Sequence, residues 1–252
     1  MSGKKFESGR FFLKDTVRKQ INFSQAAQSR GQDGPPLQKP WPSDAFVIEL
    51  PDGSKALQHL AGMPVGKAMA HRESVRQFQN VALTLEELSA LLWSTQGVKQ
   101  VLSADTALRT VPSAGARHSF ESYLAVNRVE NLSAGLYRYL PFDGRLAQLK
   151  IDSRIGRKAA MACFDQGFIA ASAVTFFWTT IPSRMEWRYD LAAHKVIAID
   201  AGHVGQNLYL ACEAIGAGCC AVAAYDQQAC DELLGVDGEE EFVIYLAAVG
   251  KK

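Results

Sequence analysis

The sequence predicts an α+β protein or a mixed α/β sandwich, one main domain preceded by an extended arm. Three observations carry that reading. Strand-like and helical stretches alternate along the chain without any visible repeat. Asp143-Gly144 lies between two alternating runs, Gly135–Leu140 and Leu146–Lys150, which signals an antiparallel hairpin. Thr84-Leu-Glu-Glu opens a leucine-rich helix as a capping box, and a longer helical stretch follows at 191–215.

Residues 1–63 read as the arm. Phe11-Phe12-Leu13 can anchor a short helix. Gln28 to Pro42 is polar and rich in Gly and Pro, the composition of a connector lying over a surface. Phe46-Val-Ile-Glu-Leu, stopped by Pro51, fits an edge strand. This segment is too poor in apolar residues to fold alone. It therefore wraps on the main body or on a partner subunit.

The main domain is read as 64–252. A short helix starts at Pro64 and ends within His71–Phe78. Within one turn Arg72 and Arg76 would share a face, with Ser74 free to cap or to bind an anion; a basic helix end serving its own dipole is the alternative. The capped helix at 84–97 carries Leu85, Leu88, Leu91 and Leu92 at helical spacing. Ser122–Val129 reads as a strand. In the hairpin, Tyr137 and Tyr139 share one face, and Leu136, Arg138 and Leu140 the other. Ile155–Cys163 and Asp165–Ala171 read as helices, and Ala173–Ile181 as a buried strand stopped by Pro182. The helix at 191–215 is apolar on more than one side, which suits the core or a large subunit interface. Gly218–Ala224 is a strand of small residues, Asp226 caps a helix to Leu234, and Phe242–Val249 is the last strand.

Composition narrows the chemistry. The net charge is +1 with no basic block, so nothing invites nucleic acid. No stretch approaches ~18 consecutive apolar residues, and no signal-like run follows Met1-Ser-Gly-Lys-Lys, so a cytoplasmic protein away from the membrane is expected. Five cysteines, none at CxxC or zinc spacing, read as reduced thiols. Cys219-Cys220 reads as strand packing. The chain has no dinucleotide fingerprint, P-loop, nucleophile elbow or zinc-protease motif, and no metal is expected. What remains is a set of separated clusters. One is Arg72, Ser74 and Arg76. Another is the turn Pro112-Ser113-Ala114-Gly115 with Arg117, either an ordinary loop or one that approaches a ligand, since Gly115 takes positive φ at little cost. Arg188 with Tyr189 and the small-residue strand ending at Ala224 complete the set. Arginines with a serine suit phosphate, and small residues allow close approach to a flat ring. A mononucleotide with a planar head, such as FMN, needs that combination.

The order of these motifs resembles the nitroreductase family of FMN-dependent oxidoreductases, and within it the SagB-type, azoline-dehydrogenase-like branch. The matching stretches are Gly34-Pro-Pro with Ile48–Pro51, Arg72–Phe78, Leu83–Trp93, Arg109–Arg117, Gly135–Tyr139, Asp200–Leu210 and Gly216–Asp226. The resemblance implies an α+β fold, a central, mainly antiparallel sheet flanked by helices with an N-terminal arm. It also implies an intertwined homodimer with FMN at each subunit interface. Arg72, Ser74 and Arg76 match positions that hold the phosphate and the polar edge of the flavin. Pro112, Ser113, Ala114, Gly115 and Arg117 match the loop that reaches the flavin, often from the other subunit. Gln166 matches a ring-edge contact, and Ala223 and Ala224 the strand whose amides lie near N5. Lys251 and Lys252 stand where the family often places a late basic phosphate ligand.

The resemblance carries one departure. Azoline dehydrogenases have a Lys-Tyr pair before the long helix, thought to act in proton removal. This chain has Arg188-Tyr189, and an arginine cannot serve as a base. Tyr189 would need the adjacent cation to act as one, and an interface hydrogen-bonding pair is the alternative. Three functions follow. In a reductase, NAD(P)H reduces the flavin, which then reduces a small molecule. In a SagB-type dehydrogenase, Tyr189 removes a proton while the flavin takes hydride from a small-molecule or modified-peptide substrate. The alternative is a non-catalytic flavin-binding partner or scaffold in a peptide-modifying complex.

Overall fold

A computed structural model describes residues 3–252. In chain order its helices are α1 Glu7–Leu13, α2 Gly53–Leu60, α3 Val65–His71, α4 Leu85–Gln96, α5 Ile155–Ala162, α6 Gly167–Ala171, α7 Ser183–Tyr189, α8 Ala193–Ala214 and α9 Gln227–Leu234. The strands are β1 Val47–Glu49, β2 Val98–Ser103, β3 Thr106–Arg109, β4 Phe120–Val126, β5 Gly135–Leu140, β6 Arg145–Ile151, β7 Val174–Thr180, β8 Ala217–Val222 and β9 Phe242–Lys251. Seven strands form one sheet in the order β1-β6-β5-β4-β7-β9-β8, antiparallel at each step, and β2 pairs β3 in a separate ribbon. This is the expected α+β architecture. No helix among the described residues is long and apolar enough to cross a membrane.

Strand alternation sorts the sheet into two cores. Leu124, Tyr137, Phe176 and Trp178 pack with Leu88, Leu91 and Leu92 of α4 and Val204 and Leu208 of α8. Tyr123, Ala125, Phe177 and Leu246 pack on the opposite face with Ile155, Ile169 and Leu234. Neighbouring residues therefore serve opposite layers, which is why every residue of β4 and β7 is buried. Each fully buried Leu or Phe contributes about 1.5–3 kcal/mol.

The capping box closes as its spacing required. Thr84 Oγ1 accepts from Glu87 N at 3.1 Å, and Thr84 N donates to Glu87 Oε2 at 2.9 Å. The hairpin forms through Gly144 at φ 64°. Asp226 caps α9 by accepting from Ala229 N. All five cysteines are free and buried.

Residues 23–51 lie along their own chain. Gln28 N donates to Trp187 O and Trp187 Nε1 to Gln32 O, both at 2.9 Å. Arg109 Nη2 donates to Leu37 O, and Arg138 Nη2 to Lys39 O and Pro40 O. β1 then joins the sheet edge against β6. Below this segment is a buried charged layer. Arg184 Nη2 donates to Glu121 Oε1 at 2.6 Å with both side chains 2% exposed, and Glu121 Oε1 also accepts Lys39 N at 2.7 Å. Burial lowers the Arg109 pKa to about 10, so this interior guanidinium stays charged at neutral pH.

Several elements differ from the sequence expectation. The helix from Pro64 stops at His71, and Arg72 turns to φ −51°, ψ 120°. Helices α2 and α7 and the β2–β3 ribbon form where no element was expected. Their segments are short, and α7 begins after Pro182, which served in the sequence reading only as a strand stop. β8 ends at Val222, so Ala223 and Ala224 lie beyond the paired strand.

Candidate functional site

One half of the site is built on the free edge of β8. Residues 72–79 run beside that edge and on to the end of β9: Ser74 bridges Cys219 in parallel, Val75 N donates to Cys219 O, and Gln79 N donates to Lys251 O of β9. Extended backbone changes the geometry read from sequence. Arg72, Ser74 and Arg76 share a side through a period of two, not through a helix turn. Val75 points the other way, into the space a side chain at Gly218 would fill: a Cβ there would meet Val75 Cβ at 2.8 Å. Gly250 sits under Phe78 in the same manner, with contacts from 3.0 Å. The small residue at Gly218 thus serves close packing by the chain itself, not close approach of a ring.

Tyr209 of α8 ties this edge together. Its hydroxyl lies 2.9 Å from Ser74 Oγ and accepts Ala221 N at 2.8 Å. The Arg72 guanidinium stands 5.3 Å from the Tyr209 ring centroid, and Arg76 stands 5.9 Å from that of Phe168. Neither arginine has an acidic partner among the described residues. Alternate residues of an edge strand turn their N–H groups outward. Tyr209 takes the Ala221 N–H, and just past the end of β8 Ala223 is exposed, with its N–H meeting no protein acceptor among the described residues. Gln166 Nε2 donates to Ala224 O at 2.8 Å and to Cys163 O at 2.9 Å. Phe164 and Asp165 before it hold φ of 56°, a strained turn beside the site.

Tyr209 and Phe168 carried no role in the sequence reading. Tyr209 lies within the quoted Asp200–Leu210 stretch, but nothing in that stretch says which face meets the edge. Tyr209→Phe leaves Ala221 N–H without its acceptor, at a cost of about 1–2 kcal/mol. The expected melting temperature is lower by about 2–4 °C per kcal/mol, with looser Arg72 placement read as weaker binding of the flavin that the resemblance implies. Unchanged values for both would remove Tyr209 from the site.

The other half is the Pro112–Arg117 turn. Gly115 takes φ 58°, as its position suggested, and Ala116 and His118 follow at 54° and 47°. Ser113 Oγ accepts His118 N at 3.0 Å. Ser113 and the Ala114 amide also face buried Asp200 of α8, whose carboxyl burial pushes up and these donors pull down. Burial beside Arg109 lowers the His118 pKa to about 3, so this histidine is neutral at ordinary pH. A Cβ on Gly115 would lie 2.6 Å from Tyr189 Oη and 3.0 Å from Arg188 Cδ and Nε, so the absent side chain lets α7 close on the turn.

Arg117 is turned inward. Its Nε donates to Arg184 O at 3.0 Å, its Nη1 donates to Asp105 O, and its guanidinium stacks 4.4 Å from the Trp187 ring. Lys251 and Lys252 correct the expectation of a late phosphate ligand: their ammonium groups are taken by buried Glu87 and Glu213. Asp200, behind the turn, and Tyr209, at the edge, are nine residues apart on α8, roughly 13.5 Å of helix.

Comparison with known proteins agrees with the fold. The model of the nitroreductase family matches residues 69–251, and the chain belongs to that family. A Methanocaldococcus jannaschii protein assigned to the nitroreductases is 29% identical over 83% of this chain and 98% of its own. A nitroreductase-assigned structure from Ralstonia eutropha superposes with TM-score 0.67 at 25% identity, covering 87% of this chain and 98% of that one. Two others share the fold. One is a chain of the Escherichia coli microcin synthetase McbBCD complex with truncated pro-MccB17 bound: TM-score 0.60, 16% identity, 92% of this chain and 82% of that one. The other, from Desulfovibrio desulfuricans, is a nitroreductase-assigned structure in complex with FMN: TM-score 0.52, 15% identity, 75% and 86% covered.

Proposed function

We propose that this protein is an FMN-dependent oxidoreductase acting as a cytoplasmic homodimer. The observation that carries the reading is the pair Arg72 and Arg76, two guanidinium groups without acidic partners among the described residues, flanking Ser74 on an edge beyond whose end lies the free Ala223 amide. That donor set fits a phosphate joined to a planar ring with acceptor atoms along its edge. FMN, when bound, would supply two-electron hydride chemistry at N5. Arg72, Ser74 and Arg76 would hold the phosphate and the polar edge, Gln166 a ring edge, and Ala223 and Ala224 the N5 side. Pro112, Ser113, Ala114 and Gly115 of a second copy would close the site, which the separation of the two halves along α8 supports. Arg117 would stiffen that turn from behind. Residues 1–63 would act as the arm that clamps the domain 64–252.

Tyr189 and Arg188 are the catalytic candidates, since both press on the flavin-facing turn. In a dehydrogenase, Tyr189 would take a substrate proton with Arg188 stabilising its phenolate; in a reductase, NAD(P)H would be the electron source. Anaerobic mixing with NADH or NADPH separates the two: bleaching of the bound flavin within a turnover time is expected of the reductase, and its absence with both cofactors overturns that version. A colourless protein that cannot be reconstituted with FMN overturns the whole reading.

A second reading, a scaffold in a peptide-modifying complex, is favoured by Arg188 in the place of a lysine and by likeness to the McbBCD chain. It expects a stable stoichiometric complex with a peptide-modifying partner and no turnover alone.

A further inference from the structure

The last turn of α7 brings two polar groups against the Pro112–Arg117 turn. The space that a Cβ on Gly115 would take lies 2.6 Å from Tyr189 Oη and 3.0 Å from Arg188 Nε, so these two atoms are at most 5.6 Å from each other. Both residues are half-buried. The Tyr189 ring packs on the core that α4 and α8 share with the sheet, which leaves its hydroxyl at the turn. Among the described residues neither the hydroxyl nor the Arg188 guanidinium makes a hydrogen bond, and the guanidinium meets no carboxylate. Its one aromatic contact is the ring of Tyr189 itself, 5.6 Å to the centroid.

The charge behind the turn is one-sided. Arg184 is taken by Glu121. Arg117 donates to the carbonyls of Arg184 and Asp105. Burial lowers its pKa; the Asp105 carboxylate offsets part of this, and Arg188 and Arg184 are the neighbouring cations. Arg188 thus stands beside a second guanidinium with no ion pair of its own among the described residues. A half-buried cation next to another is costly unless an anion joins it. An arginine cannot take a proton, but its planar fork fixes a carboxylate in both position and plane.

We propose that Arg188 and Tyr189 anchor a carboxylate of the substrate, the guanidinium N–H groups and the phenol O–H donating to its two oxygens. Hydrogen bonds of about 2.7–2.9 Å to both oxygens bridge donors set this far apart. One unpaired cation suits a monoanion, whereas a phosphate dianion suits the two arginines at 72 and 76. The carboxylate can be that of a small acid or of a peptide C-terminus. The anchor lies on the turn proposed to close the flavin site, so it is placed to select acidic substrates and to set which end of them meets the flavin. That role rests on the proposed oxidoreductase reading in its reductase form, because Tyr189 here donates a hydrogen bond and is not the base. The carboxylate binding itself does not rest on it.

Calorimetric titration of the full-length, FMN-treated protein at about pH 7, where carboxylic acids are ionised, tests the anchor. The probes are propionate, N-acetylglycine and the uncharged N-acetylglycinamide. Saturable binding is expected for at least one acid, at least tenfold tighter than for N-acetylglycinamide. Preference for propionate assigns a small acid, and preference for N-acetylglycine assigns a peptide C-terminus. Arg188→Gln is expected to weaken acid binding tenfold or more and Tyr189→Phe severalfold, with Arg188→Lys between the parent and Arg188→Gln because it returns the charge without the fork. FMN affinity is measured on the same variants: a loss of flavin in place of acid binding gives Arg188 to the cofactor and overturns the anchor. Phenylglyoxal labelling of the parent protein, mapped by mass spectrometry, does not depend on the variants folding; saturating acid should slow modification of Arg188 severalfold, and N-acetylglycinamide should not. No saturable heat with either acid, equal binding of the amide, unprotected Arg188, or full affinity in Arg188→Gln overturns the site. Flavin content, read separately from absorbance, keeps the outcomes apart: yellow protein that ignores acids sinks the anchor alone, and colourless protein that binds them sinks the flavin reading alone.

Discussion

Replacing Arg72 and Arg76 together by alanine is expected to weaken FMN binding by roughly a hundred- to ten-thousand-fold. Each arginine would make a charge-assisted contact worth about 1.5–3 kcal/mol, and about 1.4 kcal/mol corresponds to a factor of ten. Stability should hardly move. Neither guanidinium is paired with a carboxylate among the described residues, and their aromatic neighbours Tyr209 and Phe168 keep their other contacts. That split is the discriminating feature: a large loss of flavin retention, read by fluorescence recovery on titration, with the melting temperature within about 2 °C of the parent. Parent-like flavin affinity in the double variant would take both residues out of the proposed phosphate site. A matched loss of stability would make them structural.

Glu121→Gln is expected to do the opposite, destabilising the fold without touching the proposed flavin edge. Glu121 is the carboxylate under residues 23–51, and it holds Arg184 at 2.6 Å and the Lys39 amide at 2.7 Å. Glutamine keeps an oxygen that both Lys39 N and Arg184 Nη2 can reach, but it removes the negative charge beside buried Arg184, and Arg109 nearby also loses its anion. Breaking one side of a buried pair costs about 3–5 kcal/mol. At about 2–4 °C per kcal/mol, the melting temperature should fall by roughly 6–20 °C. Limited proteolysis should cut first near Lys39, because that segment loses its anchor. Glu121→Gln with Arg184→Met should recover part of the loss, since it removes the stranded charge. A melting temperature within about 2 °C of the parent would mean that the pair contributes little.

Much of the fold was legible because its signals are local. The Thr84–Glu87 box, the Asp143-Gly144 turn and the apolar runs at β4, β7 and β9 each depend on residues within one element. Gly115 is legible for the same reason, as a small residue in a Pro-Ser-Ala-Gly turn whose φ is positive. The segment after α3 was not. Arg72–Phe78 has no strong propensity of its own, and only pairing with Cys219 and packing of Val75 on Gly218 hold it extended. Lys251 and Lys252 misled because position along the chain says nothing of the carboxylates of Glu87 and Glu213 that meet them in space.

The turn Pro112–Gly115, the Arg72/Ser74/Arg76 set and family membership were thus within reach of the sequence alone, because residue type and order encode them. Tertiary structure alone decided that Arg72, Ser74 and Arg76 line up through extended backbone, that Tyr209 ties them to β8, and that Arg117 faces inward onto Trp187. It also decided that the turn and the arginine edge occupy different stretches of α8. The physical reason is common to all four: each depends on which residues distant in sequence become neighbours when the sheet and α8 pack. No periodicity within one segment records that.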